Sequence, residues 1–258
     1  MKNLLIIIVA SGLTAGLVAT TANSQEEDMS STAVPVELFT CDYRDGKGPK
    51  DLDKVTANWN VWADNAGVND YTAWTLVPFY ASEEQDFDVL WLGVSPTAKK
   101  MGSAQDKWVT TGGKVQAEFD SIIPCDAHSN FASLEFKAPP QRDNPPDNVV
   151  ISFSDCNIAD GMSFGDVAPA LDEWAAYRTE HGSTGGMWVL FPAYGGGGEE
   201  FDFKFLTGHR NLEEQGADWD QYAEAGWAKA EELFTGKLEC DSARVYLAQN
   251  RRRASATE

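Results

Sequence analysis

Four cysteines divide the chain into matching intervals: Cys41 and Cys125 are 84 positions apart, and so are Cys156 and Cys240. An offset of 115 carries Cys41 onto Cys156, Gly46 onto Gly161, Asp51 onto Asp166, Trp59 onto Trp174 and Gly67 onto Gly182. After a one-residue deletion, an offset of 114 superposes Trp74 on Trp188, Pro78 on Pro192, Tyr80 on Tyr194, Phe87-Asp88 on Phe201-Asp202 and Asp106 on Asp220. The offset returns to 115 where Cys125-Asp126 meets Cys240-Asp241. Rare residue types agreeing in order with two small indels point to one unit present twice. Whatever this chain folds into must therefore be a pair of similar bodies of about 100 residues each.

The remaining segments fall around those two bodies. Lys2, the apolar run Leu4 to Ala10 and the small residues through Ser24 read as a secretory signal peptide over 1–24, cleaved after Ala22 or Ser24. The apolar run is interrupted by Ser11, Gly12 and Thr14, which makes it short for a membrane anchor. A polar leader is expected over 25–33, a first repeat over 34–137, a Pro-rich linker over 138–148, a second repeat over 149–250 and a basic tail over 251–258. The tail's Arg251-Arg252-Arg253 is expected to hang in solvent.

Within each repeat the hydrophobic pattern alternates between periods of two and of 3.6. VPVELFT (34–40) and VVISFS (149–154) read as strands, followed by helices beginning near Asp51 and Asp166, with Asp51 as N-cap. Gly67 and Gly182 stand where a left-handed helix end is wanted. Two strands follow, 71–80 with 87–94 and 187–194 with 201–206, the latter pair joined by a flexible hairpin at Gly195–Gly198. A second helix is expected over 98–119 and 212–234, and closing strands over 130–137 and 242–249. The order βαββαβ, twice over, is that of the ferredoxin-like unit, an α+β fold. In that topology the last strand lies antiparallel to the first, which brings Cys41 to Cys125 and Cys156 to Cys240. Of the three pairings that four cysteines allow, topology and duplication select these two disulfides. An export signal suits oxidation, and no C-x-x-C spacing supports a metal.

The middle strands are apolar on both faces: Trp74, Leu76, Pro78 and Tyr80 on one, Thr75, Val77 and Phe79 on the other. Helices cover one face of such a sheet, so the second copy is expected to cover the other, packing sheet to sheet. This element order resembles the dimeric α/β-barrel superfamily, which includes antibiotic-biosynthesis-type monooxygenases and stress-responsive barrel proteins, here with both halves in one chain. The resemblance covers 34–137 and 149–250. It implies a small-molecule-binding or enzymatic barrel and a monomer with pseudo-twofold symmetry. Haem-degrading members carry an Asn on the first strand, a Trp on the third and a His on the second helix. That pattern is not met: Trp91 sits on a third strand, but no His follows in that copy's helix.

Several residues are candidates for chemistry. Asp88 and Asp202 occupy matching strand positions, with Lys204 on the face of Asp202, and a carboxylate in a barrel strand can orient a ligand or act as a base. Packing and strand-end roles compete with that reading. Trp74, Tyr80, Trp188 and Tyr194 are candidates to line a pocket for a flat or apolar ligand, against a role in the aromatic core. His209 is a candidate base or haem ligand, although surface placement is expected; His128 and His181 read as loop residues. Asp106-Lys107-Trp108 and Asp220-Gln221-Tyr222 recur on the second helices, the aromatic packed inward. No H-E-x-x-H, no G-x-S-x-G and no His/Cys cluster occurs, so neither a metal nor a cofactor is expected.

The balance of 40 acidic to 20 basic residues, net charge -20, disfavours nucleic acid and anionic membranes as partners. Together these features lead to an exported small-molecule-binding protein or metal-free enzyme on a fused barrel, its ligand small and apolar or aromatic. The alternative is a non-catalytic interaction or structural module at the cell surface or in the periplasm.

Overall fold

The structure, a computed structural model, describes residues 32–83, 85–141 and 143–255. The expected signal peptide and all but the end of the leader lie outside the described residues. Nine strands and six helices follow in chain order: β1 (Val34–Cys41), α1 (Pro49–Asn65), β2 (Thr72–Tyr80), β3 (Val89–Val94), α2 (Ala98–Thr111), α3 (Gly113–Asp120) and β4 (Cys125–Lys137). The second half comprises β5 (Asn148–Ile158), α4 (Phe164–Glu180), β6 (Gly186–Tyr194), β7 (Phe203–His209), α5 (Leu212–Gln221), α6 (Trp227–Phe234), β8 (Leu238–Cys240) and β9 (Arg244–Arg252), with a π-turn at Tyr222–Gly226 between α5 and α6.

Strands of the first half lie in the order β4-β1-β3-β2, and β9-β5-β7-β6 is the order in the second. The halves join through two hydrogen-bonded seams, β2 against β9 and β4 against β6. The result is a closed antiparallel barrel of eight strands, with β8 appended beside the end of β5. Edge strands carry unpaired N–H and C=O groups, and closure satisfies them. The two sheets therefore meet along their edges as well as facing each other across the interior, so face-to-face packing alone does not describe the assembly.

Every barrel strand turns apolar side chains inward. Val36, Leu38, Leu76, Leu90, Leu92, Phe131, Ile151, Phe153, Leu190, Leu206, Tyr246 and Ala248 form one continuous core. This fills the interior with side chains. The helices pack on the outside, over smaller clusters built around Trp59 and Tyr71 and around Leu52 and Val89 in the first half, and around Val167, Leu171 and Phe203 in the second. The disulfide Cys41–Cys125 ties the end of β1 to the start of β4, and Cys156–Cys240 ties β5 near its end to the end of the short β8, just before β9.

Local details depart from the pattern read in the sequence. Gly48 caps α1 with Pro49 in the first turn, so Asp51 is a first-turn acid and not the cap. At α4 the cap is Ser163, in a capping box with Asp166. Each expected second helix is broken: at Gly112, whose missing Cβ leaves room for Trp108, and at the π-turn. Arg251 and Arg252 belong to β9 and pair with Asp53 at 2.6 Å and Asp64 at 2.9 Å, and Arg253 pairs with Asp147. The arginines expected in solvent thus clamp the end of the second half onto α1 and the linker. Gly67 and Gly182 have φ of 65° and 85°, the left-handed ends that the helices require.

Candidate functional site

The space between helices and sheet is where the two halves differ. On β5 the outward side chains before Cys156 are Ser152 and Ser154, whereas on β1 the corresponding places before Cys41 hold Glu37 and Phe39. Thr207, the register partner of Ser152 on β7, is also small. Over this shallow patch runs α5, which contributes no buried residue of its own. A helix with no buried side chain standing over hydroxyl-bearing strands leaves a cavity of about 870 Å³. Trp174, Tyr177, Phe205, Trp219 and Tyr222 wall it, and Ser152, Ser154, Thr207 and Gln215 supply hydrogen-bonding groups. Gln215 already donates to Ser152 Oγ at 2.9 Å. The π-turn places Tyr222 and Gly226 at this wall, and π-turns inside helices occur frequently at functional sites.

A buried polar network forms one end of the cavity. Asp218 on α5 accepts hydrogen bonds from the Arg178 guanidinium on α4, from His209 Nε2 at 2.6 Å and from Ser183 Oγ at 2.9 Å. Burial pushes the Asp218 carboxyl up, but the His209 hydrogen bond and the Arg178 charge outweigh it and hold the group below the usual carboxylate range. An ionised carboxylate can only accept, so Nε2 of His209 carries the proton. His209 Nδ1 is buried with no partner among the described residues. Beside the network, Lys137 donates to the carbonyls of Ser183 at 2.9 Å and Gly185 at 2.6 Å, and burial followed by the nearby Arg178 charge lowers its pKa.

The first half has a cavity of about 620 Å³ in the matching layer, walled by Trp59, Trp62, Trp91, Trp108 and Phe119. At its floor Glu37 is only 4% exposed. Tyr71 donates to Glu37 Oε1 at 2.6 Å, and Gln105 Nε2 and His128 Nε2 each lie 2.8 Å from Oε2. Burial raises the Glu37 carboxyl, yet the His128, Tyr71 and Gln105 hydrogen bonds together lower it below its ordinary value. Burial and the adjacent Glu37 charge push the Tyr71 phenol well up, so it remains a donor.

Of the residues singled out in the sequence, few meet at either cavity. Asp88 and Asp202 are exposed and lie just before β3 and β7, not within them. Each holds the chain at the end of the first strand of its half, Asp88 accepting from the backbone N–H of Tyr43, just past β1, at 2.8 Å and Asp202 from that of Ile158, the last residue of β5, at 2.7 Å. Their recurrence reflects a turn that both halves need. Trp74 and Trp188 pack against the barrel core, the latter donating to Glu135 at 3.0 Å. Tyr80 and Tyr194 are 61% and 78% exposed, though Tyr80 reaches the rim of the second-half cavity. Lys204 pairs with Asp155 at 2.5 Å and lies 4.0 Å from the Phe201 ring.

His209 is buried, not at the surface, because β7 runs on to include it. His128 lies on β4 and stacks on Phe39 with ring centroids 3.8 Å apart, and His181 ends α4 stacked on Tyr177. Neither is a loop residue without partners. Glu37 was missed, although a charged residue in the middle of an apolar strand is itself a signal. Trp108 and Tyr222 both line cavities, in contrast to a purely packed role.

No family model matches the chain, and no curated protein matches it in sequence. Solved structures do share the fold. A DyP-type peroxidase from Cellulomonas bogoriensis is 10% identical with a TM-score of 0.53, covering 86% of this chain and 91% of its own. A proposed monooxygenase from Lactobacillus acidophilus is 9% identical with a TM-score of 0.52, covering 85% and 94%. A variant of the chlorite dismutase from Candidatus Nitrospira defluvii is 8% identical with a TM-score of 0.51, covering 84% and 91%. At these identities the likeness is one of fold, and the fold is that of a dimeric α/β barrel.

A histidine that holds haem iron needs one ring nitrogen open to the metal while the other is commonly held by a carboxylate. At the second-half cavity Nε2 of His209 is held by Asp218, and Nδ1, the nitrogen left for iron, is buried and not open to a ligand. The residues present do not fit an axial haem ligand there.

Proposed function

We propose that the chain is an exported small-molecule-binding protein, built from two copies of one ferredoxin-like unit and acting as a monomer. Its ligand is flat, uncharged and largely aromatic, and it lies in the second-half cavity between α5 and the outer face of β5 and β7. One observation carries this reading: α5 has no buried residue, and its Leu212 and Trp219 border the space above Ser152, Ser154 and Thr207 without filling it, so a volume of about 870 Å³ is kept open under a well-formed helix. Cavities of several hundred Å³ with aromatic walls and a few convergent polar groups are the usual form of ligand sites. Asp218 and Arg178 neutralise each other, which favours an uncharged guest over an ion. The filled barrel interior gives a ligand no room, so the site lies outside the barrel. The disulfides suit an oxidising compartment outside the cytoplasm. No described helix is long and apolar enough to cross a membrane.

A metal-free enzyme on the same cavity would use the His209–Asp218 pair, but Nδ1 of His209 is shielded, so binding is the stronger reading. A thermal-shift screen of the chain from Gln25 onward against phenolic, carbonyl and haem ligands tests it. Phenolic or carbonyl ligands should raise Tm in proportion to the logarithm of their concentration. Stabilisation by haem alone, or by none of the three, would contradict the proposal.

A further inference from the structure

We propose that the first-half cavity is a second, independent binding site, and that it takes an organic cation of the quaternary-ammonium or arylammonium class. Glu37 has no permanent counter-charge in this cavity. Glu37 is buried and ionised, yet its partners are a phenol, an amide and an imidazole, none of them a permanent cation. In the second half Asp218 has the Arg178 guanidinium. Among the described residues no lysine or arginine lines the first-half cavity, while Asp120 and Asp126 do. His128 offsets the Glu37 charge only when it is protonated, whereas Asp120, Asp126 and the chain's net charge of -20 add to the negative potential that a cleft focuses. Anions are thereby excluded and cations drawn in.

The walls select the kind of cation. Trp62 and Trp108 meet edge to face, with ring centroids 4.9 Å apart and planes at 77°. Such a pair forms a corner and uses up no more than one ring face. Two of the four indole N–H groups are occupied elsewhere: Trp62 Nε1 donates to Thr111 at 3.1 Å and Trp91 Nε1 to Tyr71 at 3.2 Å. Those two rings therefore offer the cavity π surface and not donors. Indole faces around an anionic floor match an alkylated or aromatic ammonium group, which carries positive charge without needing strong hydrogen-bond acceptors. A small hydrated metal ion gains nothing from such walls.

Calorimetric titration of the oxidised protein with phenyltrimethylammonium, and with its neutral isostere tert-butylbenzene, tests the inference. The cation should bind at least about tenfold more tightly than the isostere. Glu37→Gln should abolish that preference. Because Glu37→Gln also disturbs Tyr71, a second variant, Trp108→Leu, keeps the carboxylate and should weaken the cation about fivefold or more. Ser154→Phe, which fills the other cavity, should leave cation binding unchanged. Equal affinity for cation and isostere in the wild type would overturn the proposal, as would cation affinity unaltered in both first-half variants or lost in Ser154→Phe.

Discussion

At the scale of single residues, two buried carboxylates govern how the fold responds to acid. Glu37 and Asp218 both have folded pKa values below their ordinary ones. Such groups contribute stability that is fully present above the unfolded carboxylate pKa and is lost as pH falls through the lowered folded value. The urea midpoint should therefore fall as pH is taken from neutral into the acid range, and less steeply in Asp218→Asn. Removing the carboxylate altogether is more severe. Asp218→Ala leaves Arg178 buried without its partner and should cost about 3–5 kcal/mol, measured by urea unfolding at pH 7. Gly93 makes a similar point from sterics. A Cβ there would stand 1.9 Å from the Tyr71 hydroxyl and 2.4 Å from its ring carbon Cζ. The ring is buried and bonded to Glu37, so it has nowhere to go. Gly93→Ala should destabilise by about 2–3 kcal/mol, again read from the urea midpoint.

At the scale of elements, the strands were legible and the outer helices only partly so. Alternation in VPVELFT and VVISFS marks β1 and β5 because inward positions must be apolar when a core lies beneath them. The expected bridges Cys41–Cys125 and Cys156–Cys240 both form, although the short β8 that carries Cys240 was not expected. Helix continuity was only partly legible: Gly112-Gly113 is a local break signal beside Trp108 one turn earlier, whereas the π-turn at Tyr222–Gly226 packs on Trp174 of a different helix, which no local pattern shows. The site was harder still. Ser152 and Ser154 look like ordinary outward strand residues, and only the absence of a buried residue on α5 turns them into the floor of a cavity. His209 read as a loop residue because nothing local shows that Asp218 waits one helix later. The π-turn supplies its own test. A Cβ on Gly226 would lie 3.3 Å from the Gln221 carbonyl and 3.4 Å from Trp174. Gly226→Ala should thus shift the Trp174 ring and weaken ligand binding several-fold, while costing only about 1 kcal/mol of stability.

At the scale of the whole molecule, one closed barrel unites the two halves, and the arginines of β9 bind the last strand to α1. Each disulfide closes a separation of 84 residues. Replacing either pair by serines should lower stability by about 4 kcal/mol on the chain-entropy account, and intact mass after alkylation without reductant should reveal no free thiol. Closure also means that the interior is a packed core, leaving ligands to the layer between sheet and helices. The most direct measurement of that claim is a tryptophan-fluorescence titration with a planar phenolic ligand, in the wild type and in Ser154→Phe. The account predicts saturable quenching in the wild type and at least about a tenfold loss of affinity in the variant, whose Tm should stay within a few degrees. Equal affinity in the two proteins would contradict it, since the ligand would then be bound somewhere other than beneath α5.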